Sequence, residues 1–210
     1  MVKLIRWSFF IFGLIIFSLG ISLTINMQHL GVHPWDVLTV GLFEKMGLTI
    51  GTWNILIGLT LIGITLALDK KYIRIGTLIN AVMVGMFVDF FLWMDFLPQA
   101  RKAWTDILPM LSGILLMGFG GGLYNAAEIG AGPRDGFMLS ISEKLSAPIA
   151  RVRIITESSV LVFGFLLGGP VFIFSIIFTF IQSPIFQSTY LHFNRIIEKI
   201  TAGRIKKSVS

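Results

Sequence analysis

Cysteine is missing from all 210 residues of this chain. Disulfides, thiolate nucleophiles and Cys-based metal centres are thereby excluded. Histidine is scarce. His29, His33 and His192 show no metal spacing, so each is read as a surface or interfacial residue. Charge is scarce as well: 13% of residues carry it, against roughly 25% in a soluble domain. No G-x-S-x-G, H-E-x-x-H or P-loop pattern occurs and no nucleophile–base pair stands out, so an enzyme is not expected. The run "GFGGG" at 118–122 lacks the strand and the Lys-Ser/Thr of a phosphate loop. Its small residues read as a surface for close helix packing.

What is abundant is apolar sequence. Hydrophobic residues make up 55% of the chain and the mean hydropathy is +0.85, which predicts an all-α integral membrane protein. A span needs roughly 20 mostly apolar residues. Runs near 5–27, 50–68, 74–97, 107–127, 152–168 and 170–191 give six candidate spans. The first begins with Lys3 and Arg6, but no A-x-A cleavage site follows, so it is read as a retained span. Gly168, Gly169 and Pro170 suit a tight turn between the last two runs. Trp93 and Trp104 flank a mixed loop as interface anchors. The net charge of +6 marks cytoplasmic loops rather than nucleic-acid binding.

The chain repeats itself at an offset of 99 residues. Asn26 meets Asn125, Gly31 meets Gly130, Pro34 meets Pro133, Asp36 meets Asp135, Glu44 meets Glu143 and Lys45 meets Lys144. Chance would supply about one or two such identities over twenty positions. Each half is therefore one span, one insert, then two spans. Residues 1–97 form the first membrane repeat, 98–191 the second, and 192–210 a basic cytoplasmic tail read as a short amphipathic helix.

The inserts read "GVHPWDVLTVGLFEKM" and "GAGPRDGFMLSISEKL". Pro at the first helical position, an acid in the first turn and Lys near the end are helix signals. A dozen residues span about 18 Å, short of the roughly 30 Å hydrocarbon core. Each insert is thus expected to be interfacial or re-entrant, the latter only where protein or a water-filled cavity covers it. If neither insert crosses, each half has three spans and the second half is inverted. With the amino terminus inside, only Lys45, Arg101 and Lys102 of the 17 basic residues fall outside. Both termini are then cytoplasmic. Inverted halves with broken helices at matching places are a transporter and channel plan.

Candidate site residues cluster at the inserts. Asp36 and Asp135 could bind a cation, a proton or an amine; the alternative is that each only satisfies backbone N–H groups of a helix start. Gly130, Gly132 and Pro133 permit close backbone approach and form a candidate anion nest. Arg134 sharpens it, where the first insert has Pro34 followed by Trp35. Of the two acids Asp135 is ranked above Asp36, which resembles a helix-start acid. Glu157 in the fifth run is a functional candidate by its depth or a partner of Arg153 one turn back. Asp89 has no local partner. Asn26 and Asn125 cap span ends or line a cavity, and Glu128 is expected to neutralise Arg134.

The Gly-Pro-Arg-Asp-Gly insert, with the earlier "GVHPWD" and the hydropathy of nearly the whole chain, resembles the YczE/YyaS/YitT group of bacterial membrane proteins, its YczE-like branch most closely. The resemblance implies a multi-pass protein of the bacterial inner membrane and supplies no substrate. The leading expectation is a small-solute transporter or substrate-binding membrane component with its site between the inserts. The alternative is a scaffold or regulator of a membrane-associated enzyme complex. The bilayer is the expected partner; the solute, any cofactor and any homo-oligomer or partner protein stay open.

Overall fold

The computed structural model describes residues 2–94 and 96–209, the side chains of 150, 179 and 201–209 excepted. Every regular element among the described residues is a helix, and none is a strand. The helices are α1 (Val2–Asn26), α2 (Pro34–Met46), α3 (Ile50–Leu68), α4 (Ile75–Trp93), α5 (Ile107–Ala126), α6 (Pro133–Lys144), α7 (Ile149–Leu166) and α8 (Ile173–Val209). Both inserts are short helices that start at their prolines, 13 residues in α2 and 12 in α6. Proline's fixed φ suits the first helical position, and its missing N–H would be unpaired there anyway. Gly47, at φ +74°, ends the cap of α2, a backbone region that favours glycine.

Among the described residues, four helical stretches are long and apolar enough to cross a membrane: Val2–Asn26, Ile50–Leu68, Ile75–Trp93 and Trp104–Ala126. The fifth and sixth apolar runs are helical too, as α7 and the first part of α8. They are more polar: α7 carries Arg151, Arg153 and Glu157, and α8 carries Gln182, Ser183 and Gln187. The chain does not break near His192 to form a separate tail helix. α8 runs on as one element of 37 residues, with Pro184 inside it. Arg204, Lys206 and Lys207, part of the expected basic tail, lie outside the described side chains.

Helix α1 lies against α5 along glycines. A Cβ on Gly13 would stand 2.9 Å from the carbonyl oxygen of Gly120, and one on Gly20 would stand 2.7 Å from that of Gly113. The pairing descends in α5 as it climbs in α1, so the two helices are antiparallel. Gly118 and Gly122, in the same glycine run, face Ile185 and Phe186 of α8. The main core forms among α1, α4, α5 and α8, around Phe10, Leu14, Ile21, Ile114, Met117 and Phe178.

The short helices are exchanged between the halves. α2 packs on α7, and α6 packs on α3. The loops that lead into them are exchanged as well. Gly130 lies on the start of α4, where its Cβ would be 2.5 Å from the Thr77 nitrogen; Gly31 lies on the start of α8, where its Cβ would be 2.8 Å from the Ser175 nitrogen. The far ends of the short helices part company. α2 runs directly into the amino terminus of α3. The last turn of α6 is tied through Glu143 to Lys71 and Tyr72, in the loop after the carboxyl terminus of α3. The two inserts therefore leave the bundle at opposite ends of α3.

Candidate functional site

The amino-terminal turns of α2 and α6 approach each other through Asp36 and Arg134, and a cavity of about 330 Å³ opens beside them. Trp35, Gly132, Pro133, Arg134, Asp135 and Glu157 line it. Pro34, Asp36, Gly130, Asn26 and Asn125 do not. Gly130 is committed to its contact with α4. Asn26 reaches the Pro98 carbonyl at 3.4 Å, and Asn125 donates to the Gly121 carbonyl one turn back at 3.0 Å.

Arg134 joins the two halves. Its Nη2 donates to Asn54 Oδ1 at 2.9 Å and lies 3.6 Å from Asp36 Oδ1. Its guanidinium stands 5.3 Å from the centre of the Trp35 ring, within cation–π range. Asp36 is 0% exposed. Its carboxylate oxygens have no hydrogen-bond partner among the described residues, which leaves the Arg134 guanidinium as the nearby opposite charge. Arg153 serves the other acids: its Nη2 is 3.3 Å from Asp135 Oδ1 and its Nε 4.0 Å from Glu157 Oε1. Gly132 sits where three polar groups converge. A Cβ there would be 3.1 Å from the Tyr124 hydroxyl, 3.6 Å from Asp135 Oδ2 and 3.8 Å from Asn80 Oδ1. A side chain at 132 would fill the space between them.

Sequence reasoning missed several lining residues. Asn54 on α3, Asn80 on α4, Tyr124 on α5, and Gln182, Gln187 and Tyr190 on α8 all face the cavity. Asn54 carried a usable signal, because it is the repeat counterpart of Arg153. His33 is a correction: it is buried, lines the cavity, and packs edge-on against Phe178 with ring centroids 5.2 Å apart. It precedes Pro34 and its ring nitrogen accepts from the Trp35 N–H at 3.4 Å, so the helix start draws it inward. Glu128 is a second correction. It pairs with Arg6 at 2.6 Å, not with Arg134. Asp89, without a local partner in the sequence, has distant ones. It accepts from the Gly51 N–H at 2.7 Å and the Thr49 hydroxyl at 2.5 Å, and so caps α3.

A second, apolar groove borders the first cavity. Leu38, Trp53, Ile57, Phe137, Ile155 and Phe163 line it, and Trp35 belongs to both. The outer end of α6 is held by charge. The Lys71 ammonium and Tyr72 hydroxyl bond to the Glu143 carboxylate and hold it below the usual Glu range; the same bonds raise the pKa of Lys71 and of Tyr72.

Residues 4–190 match the model of a family described as a family of unknown function, DUF6198. An "uncharacterized membrane protein YczE" of Bacillus subtilis is 40% identical over 168 residues, which covers 80% of this chain and 77% of the relative. An uncharacterised protein of Haemophilus influenzae is 34% identical over 171 residues, 81% of this chain and 77% of its own. The "uncharacterized protein YyaS" of B. subtilis is 32% identical over 170 residues, 79% and 83% of the two chains. No solved structure matches the chain.

Proposed function

The chain belongs to the DUF6198 family, and from that premise we propose that it is a small-solute transporter, or the solute-binding component of one, with its site in the cavity between the two inserts. The reading takes the protein as six spans in two inverted repeats, α7 and the first part of α8 being the spans beyond the four most apolar ones, and both inserts as re-entrant helices. Three features support inversion. The repeat counterparts α1 and α5 run antiparallel. Each short helix packs on the other half. The inserts leave at opposite ends of α3, a 19-residue helix of about 28 Å.

One observation carries the solute-binding reading. Charged groups from both inserts and from α7 converge at one cavity of about 330 Å³, within the size range of small-molecule sites. A bundle that needed only to pack would bury apolar side chains there, because charge at span depth costs roughly 2.5–3.5 kcal/mol per residue on insertion scales. Non-helical backbone at depth is tolerated where it lines such a cavity, which is how the loops at Gly31 and Gly130 enter.

The test is a solute screen on purified protein, read as a shift in the thermal unfolding midpoint, followed by uptake of the hits into proteoliposomes. Stabilising solutes are expected to be taken up, and Asp135→Asn should reduce uptake at normal reconstituted abundance. Full uptake by Asp135→Asn and Arg134→Gln proteins alike would sink the site.

A further inference from the structure

The walls of the cavity differ in kind, and the difference points to a ligand class. The wall built by α6 and α7 is acidic. It presents Asp135 and Glu157 with Arg153 between them. Arg134, the other guanidinium, is turned toward Asp36 and Asn54. On this wall two carboxylates, those of Asp135 and Glu157, share the guanidinium of Arg153. A ligand ammonium set there would gain charge-assisted hydrogen bonds to both acids.

Beside it, α3 and α4 offer N–H donors. Asn54 and Asn80 are 7% and 4% exposed, and the amide nitrogen of each has no partner among the described residues. The Trp35 indole N–H is likewise unpartnered. A buried donor left unmade is costly, so these groups call for an acceptor oxygen. The rings of Trp35, Tyr124, Phe186 and Tyr190 also line the cavity. Aromatic faces attract cations.

We infer that the ligand is a small organic ammonium compound that also carries a carbonyl oxygen, its ammonium set against Asp135 and Glu157 and its carbonyl against Asn54 and Asn80. The inference rests on the solute-binding reading above and adds the chemical class.

Three aromatic probes of one size and shape test it: phenylalaninamide, phenyllactamide, in which a hydroxyl replaces the ammonium, and phenyllactate, an anion. Binding to the full-length protein in detergent is read as thermal stabilisation across a concentration series, at about pH 6 so that the α-ammonium is protonated. Phenylalaninamide should stabilise the protein, and the two hydroxy compounds should bind about 10- to 100-fold more weakly, the usual worth of a hydrogen bond to a charged group. Asp135→Asn and Glu157→Gln should each weaken the phenylalaninamide response, and Asp135→Glu should restore part of it. Unchanged elution and apo midpoints confirm that the variants are folded. If phenyllactate or phenyllactamide binds as well as phenylalaninamide, or phenylalaninamide gives no shift, the ligand class is wrong and the site reading stands. If phenylalaninamide stabilises both charge-removing variants as well as the parent protein, the ligand sits elsewhere, and both readings fall.

Discussion

Asp36 and Asp135 each stand two residues after the proline of their insert, yet the fold surrounds them differently. Asp36 is completely buried, with Arg134 as its nearby counter-charge. The Asp135 side chain is 29% exposed and shares Arg153 with Glu157. Removing one partner of a buried ion pair costs about 3–5 kcal/mol, because the other charge is stranded. A partly exposed pair is worth about 0–1 kcal/mol. Asp36→Ala should therefore destabilise the protein far more than Asp135→Ala, as measured by thermal unfolding in detergent. Equal losses would mean that the Arg134 contact does not hold Asp36. The sequence ranks these acids the other way for function, because a first-turn acid beside Trp35 and Val37 looks like a simple cap. Its burial depends on α6, about 100 residues away in the chain. The Arg153–Glu157 pair was legible for the opposite reason: the two residues are one helical turn apart. The partners of Asp89 and Glu128, Gly51 and Arg6, escaped the sequence because they are 38 and 122 residues away.

At the scale of elements, α6 is a short helix pinned at its outer end. Glu143 bonds Lys71 and Tyr72, and those bonds hold its pKa below the ordinary Glu value of 4.5. A depressed carboxyl contributes stability above its unfolded pKa and loses it as pH falls through the folded one. The difference in unfolding midpoint between the parent protein and Glu143→Gln should be constant from neutral pH down to about 5 and shrink below about 4. A difference that persists at pH 3 would show that the contact is not ionic. Helix α3 is pinned differently, since Asp89 caps it from α4. Asp89→Ala should cost about 0.5–2 kcal/mol, the usual range for a lost cap, and urea or thermal unfolding would show it. The starts of the short helices were legible to the residue, because proline marks a helix start whatever surrounds it. The polar faces of α3, α4 and α8 were not. Asn54, Asn80 and Gln182 each look like a lone polar residue in an apolar run, and only packing turns them toward one space. The end of α8 was misread for a related reason: helix continues past a change from apolar to basic composition when nothing in the backbone stops it.

For the whole molecule, the exchange of short helices makes orientation testable. The repeat-equivalent positions Met46 and Leu145 lie at the outer ends of α2 and α6 and are 64% and 69% exposed. Val32, in the loop leading into α2, is 0% exposed and would be a poor reporter. On the proposed reading of inverted, re-entrant inserts, Met46 lies on the external face, beside Lys45, and Leu145 on the cytoplasmic face, beside Lys144. The chain has no cysteine, so Met46→Cys and Leu145→Cys each carry a single thiol with no background. A membrane-impermeant maleimide added to intact cells, with any outer barrier opened, should label Met46→Cys and spare Leu145→Cys. Inside-out vesicles should reverse the result. Labelling of both from the same side would mean that the halves are parallel. The antiparallel α1–α5 contact and the departure of the inserts at opposite ends of α3 would then need a different explanation. The cavity would also lose the alternating access that an inverted pair of repeats provides.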